Sequence, residues 1–378
     1  MYYASSYSVA TSKGISSTIL CRRNHCVPNQ IFSISTMSQT SSRKRDHVEL
    51  CVGEDVAFHT KTTGLEKYAL LHNALPELDF CEVDTAVEFL GKPCGMPLLI
   101  SSMTGGYDDA AIINQQLAQV CQSLQIPMGV GSQRQAIEDD SQLESFRAAR
   151  RGGPTIPLFG NLGGAEIVDQ QGGETVRRLA ELIDADGFAI HLNPLQELMQ
   201  PEGNPNYRGV LAGIERLVRQ LGLPIIVKEV GAGLSADTVR RLLDVGVRII
   251  DVAGAGGTSW AGVELMRRSD ANHYADFWDW GIPTADAVRA ARPLCDAAQA
   301  TLIASGGIAS PRDVATSIAL GAHLCAAARP MLKMLREQGE QALEAMLLRW
   351  QHGLRCMMFL SGSKTIADLR NAPLVVEE

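Results

Sequence analysis

No stretch of this 378-residue sequence approaches the roughly 18 to 20 consecutive apolar residues that a membrane-spanning helix requires. Cys-x-x-Cys pairs and Cys/His zinc spacings are also missing. The nine cysteines (Cys21, Cys26, Cys51, Cys81, Cys94, Cys121, Cys295, Cys325 and Cys356) are odd in number and scattered. They read as reduced thiols in a cytosol-like compartment, packing as small apolar side chains. Positive charge is not in excess: a net charge of −8 argues against a general nucleic-acid or anionic-membrane binder, while leaving room for a local basic pocket. Acidic residues are absent from the first 45 positions, which are rich in Ser and carry Lys13, Arg22 and Arg23. That is the composition of an organelle transit peptide. A second Met, Met37, opens MSQTSSRKRDHVEL and reads as a start in its own right. Met1–Thr36 is therefore either a removable plastid or mitochondrial targeting segment or an upstream extension without a fold; in the second case the expected compartment is the cytoplasm.

What the sequence does have is glycine, 35 residues of it, and a repeating unit. From Pro97 onward, a short apolar run ending in Gly, Ser or Asn is followed by an amphipathic stretch of helical period. The runs are Pro97–Ser101, Pro127–Ser132, Pro157–Leu162, Gly187–Leu192, Pro224–Val230, Ile249–Gly254, Thr301–Gly307 and His323–Ala328, eight in all. Helices are predicted over Ala110–Leu124, Glu174–Ala185, Arg208–Leu221, Ser235–Val245, Thr284–Ala298 and Pro311–Leu320. Continuously apolar strands suit a parallel sheet buried on both faces, alternation with helices demands right-handed crossovers, and eight units close a barrel. No G-x-G-x-x-G follows the first run, which disfavours a dinucleotide-binding open sheet. The predicted fold is α/β, a (β/α)8 TIM barrel over 97–360, preceded by a leader over 1–36 and an N-terminal segment over 37–96, and followed by a C-terminal tail over 361–378. A helix or turn is expected at Tyr68–Asn73. Two long insertions stand out, Asn193–Tyr207 after the fourth run and Ala255–Pro283 after the sixth.

In such a barrel the reactive face is built at the carboxyl ends of the strands, and unusual polar residues gather there. The ends read Ser101-Ser102-Met103-Thr104-Gly105-Gly106, Gly131-Ser132-Gln133-Arg134, Gly160-Asn161-Leu162-Gly163-Gly164 and His191-Leu192-Asn193-Pro194-Leu195-Gln196-Glu197. Later come Lys228-Glu229, Gly254-Ala255-Gly256-Gly257-Thr258-Ser259, Ser305-Gly306-Gly307 and Ala326-Ala327. A Gly-Gly after a strand is equally well a tight turn, and a lone His at a strand end is more often a structural hydrogen-bonder. Lys228 is different: a cation inside an apolar run needs a partner or a function, and Glu229, pointing the opposite way along a strand, is a poor partner. Gly306-Gly307 and the Ala-rich end of the eighth run are the usual phosphate positions of this fold, where glycine lets backbone N–H groups approach an anion. One phosphate, an internal Lys and several Ser, Thr and Asn donors suggest FMN, with Lys228 tuning the reduced flavin from its pyrimidine edge. A second cluster, Arg43-Lys44, His47, Arg134, His191 and Asn193, suits a more highly charged phosphate, and Glu197 offers a hard ligand for Mg²⁺. The plain alternative for Arg43-Lys44-Arg45 is a solvated basic patch on a mobile end.

The motifs RKRDH (43–47), SSMTGG (101–106), GVGSQR (129–134), GNLGG (160–164), HLNPLQE (191–197), PIIVKEVGAGLS (224–235), DVAGAGGTSW (251–260) and SGGI (305–308) resemble type II, FMN-dependent isopentenyl-diphosphate delta-isomerases from about Ser42 to about Leu360. The resemblance implies an isomerase that interconverts isopentenyl and dimethylallyl diphosphate without net redox change. It would use FMN kept reduced by NADPH or NADH, together with Mg²⁺. It also implies flavin contacts from Ser102, Met103, Thr104, Ser132, Asn161, Lys228, Thr258, Gly306, Gly307, Ala326 and Ala327. Substrate contacts would come from Arg43, Lys44, His47, Ser132, Gln133, Arg134, His191, Asn193 and Gln196, with Glu197 on the metal, and residues 37–96 would close over the substrate. Gln196 would position the alkene end or a water, and His191, the second candidate catalytic residue, would bind the diphosphate rather than act as the acid. A homo-oligomer is the expected assembly. The family commonly continues SGGI with Arg and then Gly, whereas here Ala309-Ser310-Pro311 follow, so FMN binding is expected to persist with lower affinity; Ala326 stands where Gly is frequent. Two other readings compete: an FMN-dependent 2-hydroxy-acid or dihydroorotate-type oxidoreductase, and a non-catalytic flavin- or phosphate-binding barrel. The diphosphate-type cluster disfavours the first, and the intact polar strand ends disfavour the second.

Overall fold

A computed structural model describes residues 39–169 and 171–377. The leader over 1–36, with both readings of it, lies outside the described residues. Eight parallel strands close into a barrel: β1 (Leu98–Ile100), β2 (Met128–Gly129), β3 (Leu158–Gly163), β4 (Gly187–Leu192), β5 (Ile225–Glu229), β6 (Ile249–Asp251), β7 (Thr301–Ser305) and β8 (Leu324–Ala327). Each pairs with its sequence neighbours, and β8 returns to β1 through Ala326↔Leu99. Seven lie within the predicted runs, and β3 runs one residue past its own, to Gly163. β3, β5 and β8 are buried along their whole length, which is why they carry almost no polar residues until their carboxyl ends.

The outer helices in chain order are α2 (Ala110–Leu124), α3 (Leu143–Gly152), α4 (Gly172–Leu182), α6 (Val210–Gln220), α7 (Ala236–Asp244), α9 (Thr284–Ala297), α10 (Pro311–Ala319), α11 (Arg329–Gln338) and α12 (Glu340–Leu360). Helix α1 (Gln39–Gly53) precedes the barrel, and the insertions supply α5 (Pro194–Met199) and α8 (Trp260–Met266). The predicted start signals are in use: the Ser235 and Ser310 hydroxyls accept the backbone N–H groups of Thr238 and Asp313, and Pro311 occupies the first turn of α10.

One end of the barrel is plugged. A hairpin of Val87–Phe89 with Lys92–Cys94 places Phe89 and Cys94 in a cluster with Leu99, Phe159, Ala189, Ile226, Ile303 and Leu324. Its two-residue turn needs positive φ at both positions, and Leu90 takes φ +51° beside Gly91 at +72°. Packing holds the strained Leu90 there, since its side chain lies against the bare backbone of Gly187.

Residues 68–73, expected as a helix or turn, instead begin with the strand Tyr68–Leu70, paired antiparallel with Leu374–Val376. The pairing partner lies at the far end of the chain, beyond the reach of any local pattern. Among the described residues, no helix is long and apolar enough to cross a membrane.

Candidate active site

A cavity of about 400 Å³ opens at the carboxyl ends of the strands, within the usual size range of cofactor and substrate sites. Its walls bring the two predicted clusters together. Ser102, Met103, Ser132, Asn161, Lys228, Thr258, Gly306, Gly307, Ala326 and Ala327 line it alongside Arg43, Lys44, His47, Arg134, His191, Asn193, Gln196 and Glu197. Thr104 and Gln133 do not line it. The Thr104 hydroxyl donates to Asn114 Oδ1. The Gln133 amide is fully buried, spent on the Leu179 carbonyl (2.9 Å) and the Asn161 N–H (3.2 Å), so it braces β3 rather than reaching the cavity.

Barrel register explains Lys228. Across the sheet, His191 of β4, Lys228 of β5 and Asp251 of β6 stand side by side. Lys228 is buried and donates to the Glu229 carbonyl at 2.5 Å. Its charge partner is Asp251, whose carboxyl is pushed up by burial and pulled back by Lys228 and by the Ser305 hydroxyl at 2.5 Å. The Glu229 carboxylate turns to its own loop instead, where one oxygen accepts the N–H groups of Val230, Gly231, Ala232 and Gly233 at 2.6, 2.6, 2.5 and 3.2 Å. That concavity of N–H groups is an anion site already filled by the protein.

The end expected to take a phosphate is a meeting of backbones. Gly306 and Gly307 have φ of +96° and +74°. A Cβ on Gly257 would stand 2.4 Å from Gly307 N, so the loops after β6 and β7 touch where neither has a side chain. Ala309 also faces the cavity, but its N–H donates to Asp313 at 2.9 Å and closes the start of α10. The set fits a flavin on one further observation. Ser102 Oγ is buried in the lining with no hydrogen-bond partner among the described residues, a condition costing about 1–3 kcal/mol that a ligand's polar edge would relieve.

Half of the predicted anion cluster sits on α1, where Arg43, Lys44 and His47 face the cavity, so residues 43 and 44 are not a solvated patch, whereas Arg45 turns outward to Asp108 at 3.7 Å. Lys44 Nζ donates to the Gly105 carbonyl (2.9 Å) and the Ser132 carbonyl, and burial together with Arg43 brings it down to about 7. Arg134 is flanked by Glu138 and Glu166, each at 3.4 Å. Burial, then the cations Lys228 and Lys44, hold His191 down to about 3, so its imidazole is neutral. Its Nδ1 lies 3.0 Å from Asn161 Oδ1. In this orientation of the Asn161 amide, Nδ1 carries the hydrogen and Nε2 keeps its lone pair; donation to a phosphate requires the other tautomer with the amide turned over.

Gln196 is fixed at both ends, its Oε1 accepting from Asn193 (3.1 Å) and its Nε2 donating to Glu264 (2.9 Å). Glu197 is held by neutral donors, Asn193 Nδ2 at 3.1 Å and Asn204 N at 2.7 Å. Among the described residues no group of three or more His, Cys, Asp or Glu could hold a metal ion. A cation here would have to take most of its ligands from substrate and water, as Mg²⁺ commonly does.

Glu264 was not legible from the motifs. It is fully buried, and it gathers Gln196, Arg267 Nη1 (2.6 Å) and His47 Nε2 (2.9 Å). Burial alone would raise its carboxyl, but His47, Gln196 and Arg267 outweigh burial and hold it below the usual range. The available signal was a lone acid in the apolar stretch WAGVELM, four residues after Trp260, whose ring meets His47 edge-on at 5.2 Å. Glu166 and Arg329, also in the lining, were missed as well.

A family model for FMN-dependent dehydrogenases matches residues 194–376. Among solved structures, mandelate oxidase with (S)-2-phenylpropionate aligns with a TM-score of 0.63 at 16% identity, covering 89% of this chain and 97% of that one. A putative lactate oxidase of Pediococcus acidilactici aligns with a TM-score of 0.64 at 15% identity, covering 89% and 94%. At such identities these likenesses show the barrel fold alone. Curated relatives are much nearer. The isopentenyl-diphosphate delta-isomerase of Chlorobium phaeovibrioides is 46% identical over 351 residues, 90% of this chain and 98% of the relative. That of Methanosarcina barkeri is 45% identical over 346 residues, 90% and 93%. With likeness at that level along nine-tenths of its length, and with an FMN-dependent barrel beneath it, the chain belongs to the type II isopentenyl-diphosphate delta-isomerase family.

Proposed function

We propose that this chain interconverts isopentenyl and dimethylallyl diphosphate by a 1,3-proton shift, as an FMN enzyme with Mg²⁺ whose flavin is kept reduced by NADPH or NADH. It would act in the cytoplasm as a homo-oligomer. One observation carries the reading: a flavin-type wall and a diphosphate-type cation cluster face the same cavity. When bound, reduced FMN supplies an electron-rich face against which positive charge can develop on the alkene.

The chain's own residues account for the rest. Arg43, Lys44 and Arg134 would neutralise the diphosphate, and Glu197 would hold Mg²⁺. Gln196, locked between Asn193 and Glu264, positions the alkene end or a water. Lys228, on the inner wall beside His191, would stabilise negative charge on the reduced flavin. Helix α1 and the two insertions cover the mouth and keep water from a poorly basic alkene.

The test is an anaerobic assay with FMN, Mg²⁺, a chemical reductant and isopentenyl diphosphate. Dimethylallyl diphosphate should form, and only with reduced flavin. A folded, yellow protein that makes none, yet passes electrons from a 2-hydroxy acid or dihydroorotate to its flavin, would replace this reading with the oxidoreductase.

A further inference from the structure

Helix α1 carries Arg43, Lys44 and His47 to the cavity, where Lys44 on the Gly105 and Ser132 carbonyls and His47 on Glu264 tie its inner face, but its carboxyl end lacks a cation of its own. It has no basic residue in its last turn to complement its carbonyl end, and an isolated helix of this length is marginal in water. Near that end its apolar contact is a small cluster, Leu50 and Cys51 with Val56, Trp260 and Val263. The missing cation comes from elsewhere in the chain. Arg329, the first residue of α11, donates from Nε to the Cys51 carbonyl at 2.8 Å and from Nη2 to the Glu54 carbonyl at 2.7 Å. A guanidinium on one carbonyl of the last turn and one just beyond it makes two charge-assisted hydrogen bonds and complements the helix dipole.

Arg329 also lines the cavity, just past β8, the strand paired with β7, whose end leads into Gly306 and Gly307. Its place beside the expected phosphate end invites another role, that of the cation absent at Ala309. The directed hydrogen bonds argue otherwise, because two edges of its fork are already spent on α1.

We propose that Arg329 is the latch of α1, a positioning residue that holds the substrate-facing cations over the mouth of the barrel and does not itself bind the flavin phosphate. Its consequence for catalysis rests on the isomerase reading above; the latch itself does not.

The experiment compares full-length, FMN-loaded wild type, R329A and R329K by hydrogen exchange, FMN titration and steady-state kinetics with isopentenyl diphosphate. R329A should speed exchange in the α1 amides by about tenfold or more while the strand amides stay protected. Its FMN Kd should stay within about twofold of wild type. KM should rise about tenfold and kcat should change by less than about threefold, the signature of lost substrate binding. R329K, a compact charge without the planar fork that spans both carbonyls, should fall between. A tenfold or greater loss of FMN affinity with unchanged α1 exchange would overturn the proposal and make Arg329 a phosphate ligand. Exchange rising evenly over the whole chain would overturn it too, as the mark of a general fold residue. If the wild type made no dimethylallyl diphosphate, the isomerase reading would fall, and the exchange and flavin data would still decide the latch.

Discussion

Burial and the adjacent Arg43 bring Lys44 down to about 7, so the free protein gains or loses this cation near neutrality. Protonated Lys44 attracts a diphosphate; the neutral amine does not. Raising the pH through 7 should therefore lower kcat/KM, by up to about tenfold per unit once the amine dominates. K44R, whose guanidinium stays charged, should flatten that limb at some loss of fit. A pH profile of kcat/KM from 6 to 9 checks this, and a flat wild-type profile would remove Lys44 from the anion site. The same residue marks the limit of sequence reading at this scale. RKRDH named the cations, but only packing shows which way each turns: Lys44 inward against Gly105 and Ser132, Arg45 outward to Asp108 at 3.7 Å. Lys228 was legible because a cation in an apolar strand demands an explanation. Its partner Asp251 was not, because cross-strand register is set by barrel closure and not by adjacency.

Among the elements, the loops after β6 and β7 constrain each other closely. A methyl group at position 257 would stand 2.4 Å from Gly307 N and must push the two loops apart. G257A should therefore leave the barrel folded, with far-ultraviolet circular dichroism unchanged, while FMN affinity falls by about tenfold or more as the backbone donors move off the phosphate. Fluorescence titration of FMN checks this, and wild-type affinity in G257A would place the phosphate elsewhere. All eight strands were legible, because a buried parallel strand is a continuous apolar run closed by a turn residue. The Phe89 hairpin, α1 and the Tyr68–Leu70 strand were not. The first turns on a non-glycine residue at positive φ, the second is stabilised by groups from distant loops, and the third pairs with Leu374–Val376 across the whole chain.

For the molecule as a whole, the cap over the barrel mouth is assembled from three separate stretches of chain. Met199 and Leu195 of α5 pack with Ala261, Leu265, Tyr274, Phe277 and Trp278 of the second insertion. Arg267 then ties both to α1, reaching Glu202 at 2.8 Å, Glu264 at 2.6 Å and Asp46 at 3.8 Å. R267A should leave the fully buried Glu264 short of a cation and cost about 2–4 kcal/mol. The loss is read as a lower Tm, together with a raised KM for the diphosphate. An unchanged Tm would mean that His47 and Gln196 suffice to hold Glu264. Composition and periodicity determined the barrel, the face that carries the chemistry and the residue types at the strand ends, because each is written in local apolar runs and the turns that close them. Tertiary structure alone decided that the two insertions and α1 form one cap, that Glu264 is its hub and that Gln133 braces the barrel wall. Those outcomes depend on which distant groups meet once the barrel closes, and no local pattern records such a meeting.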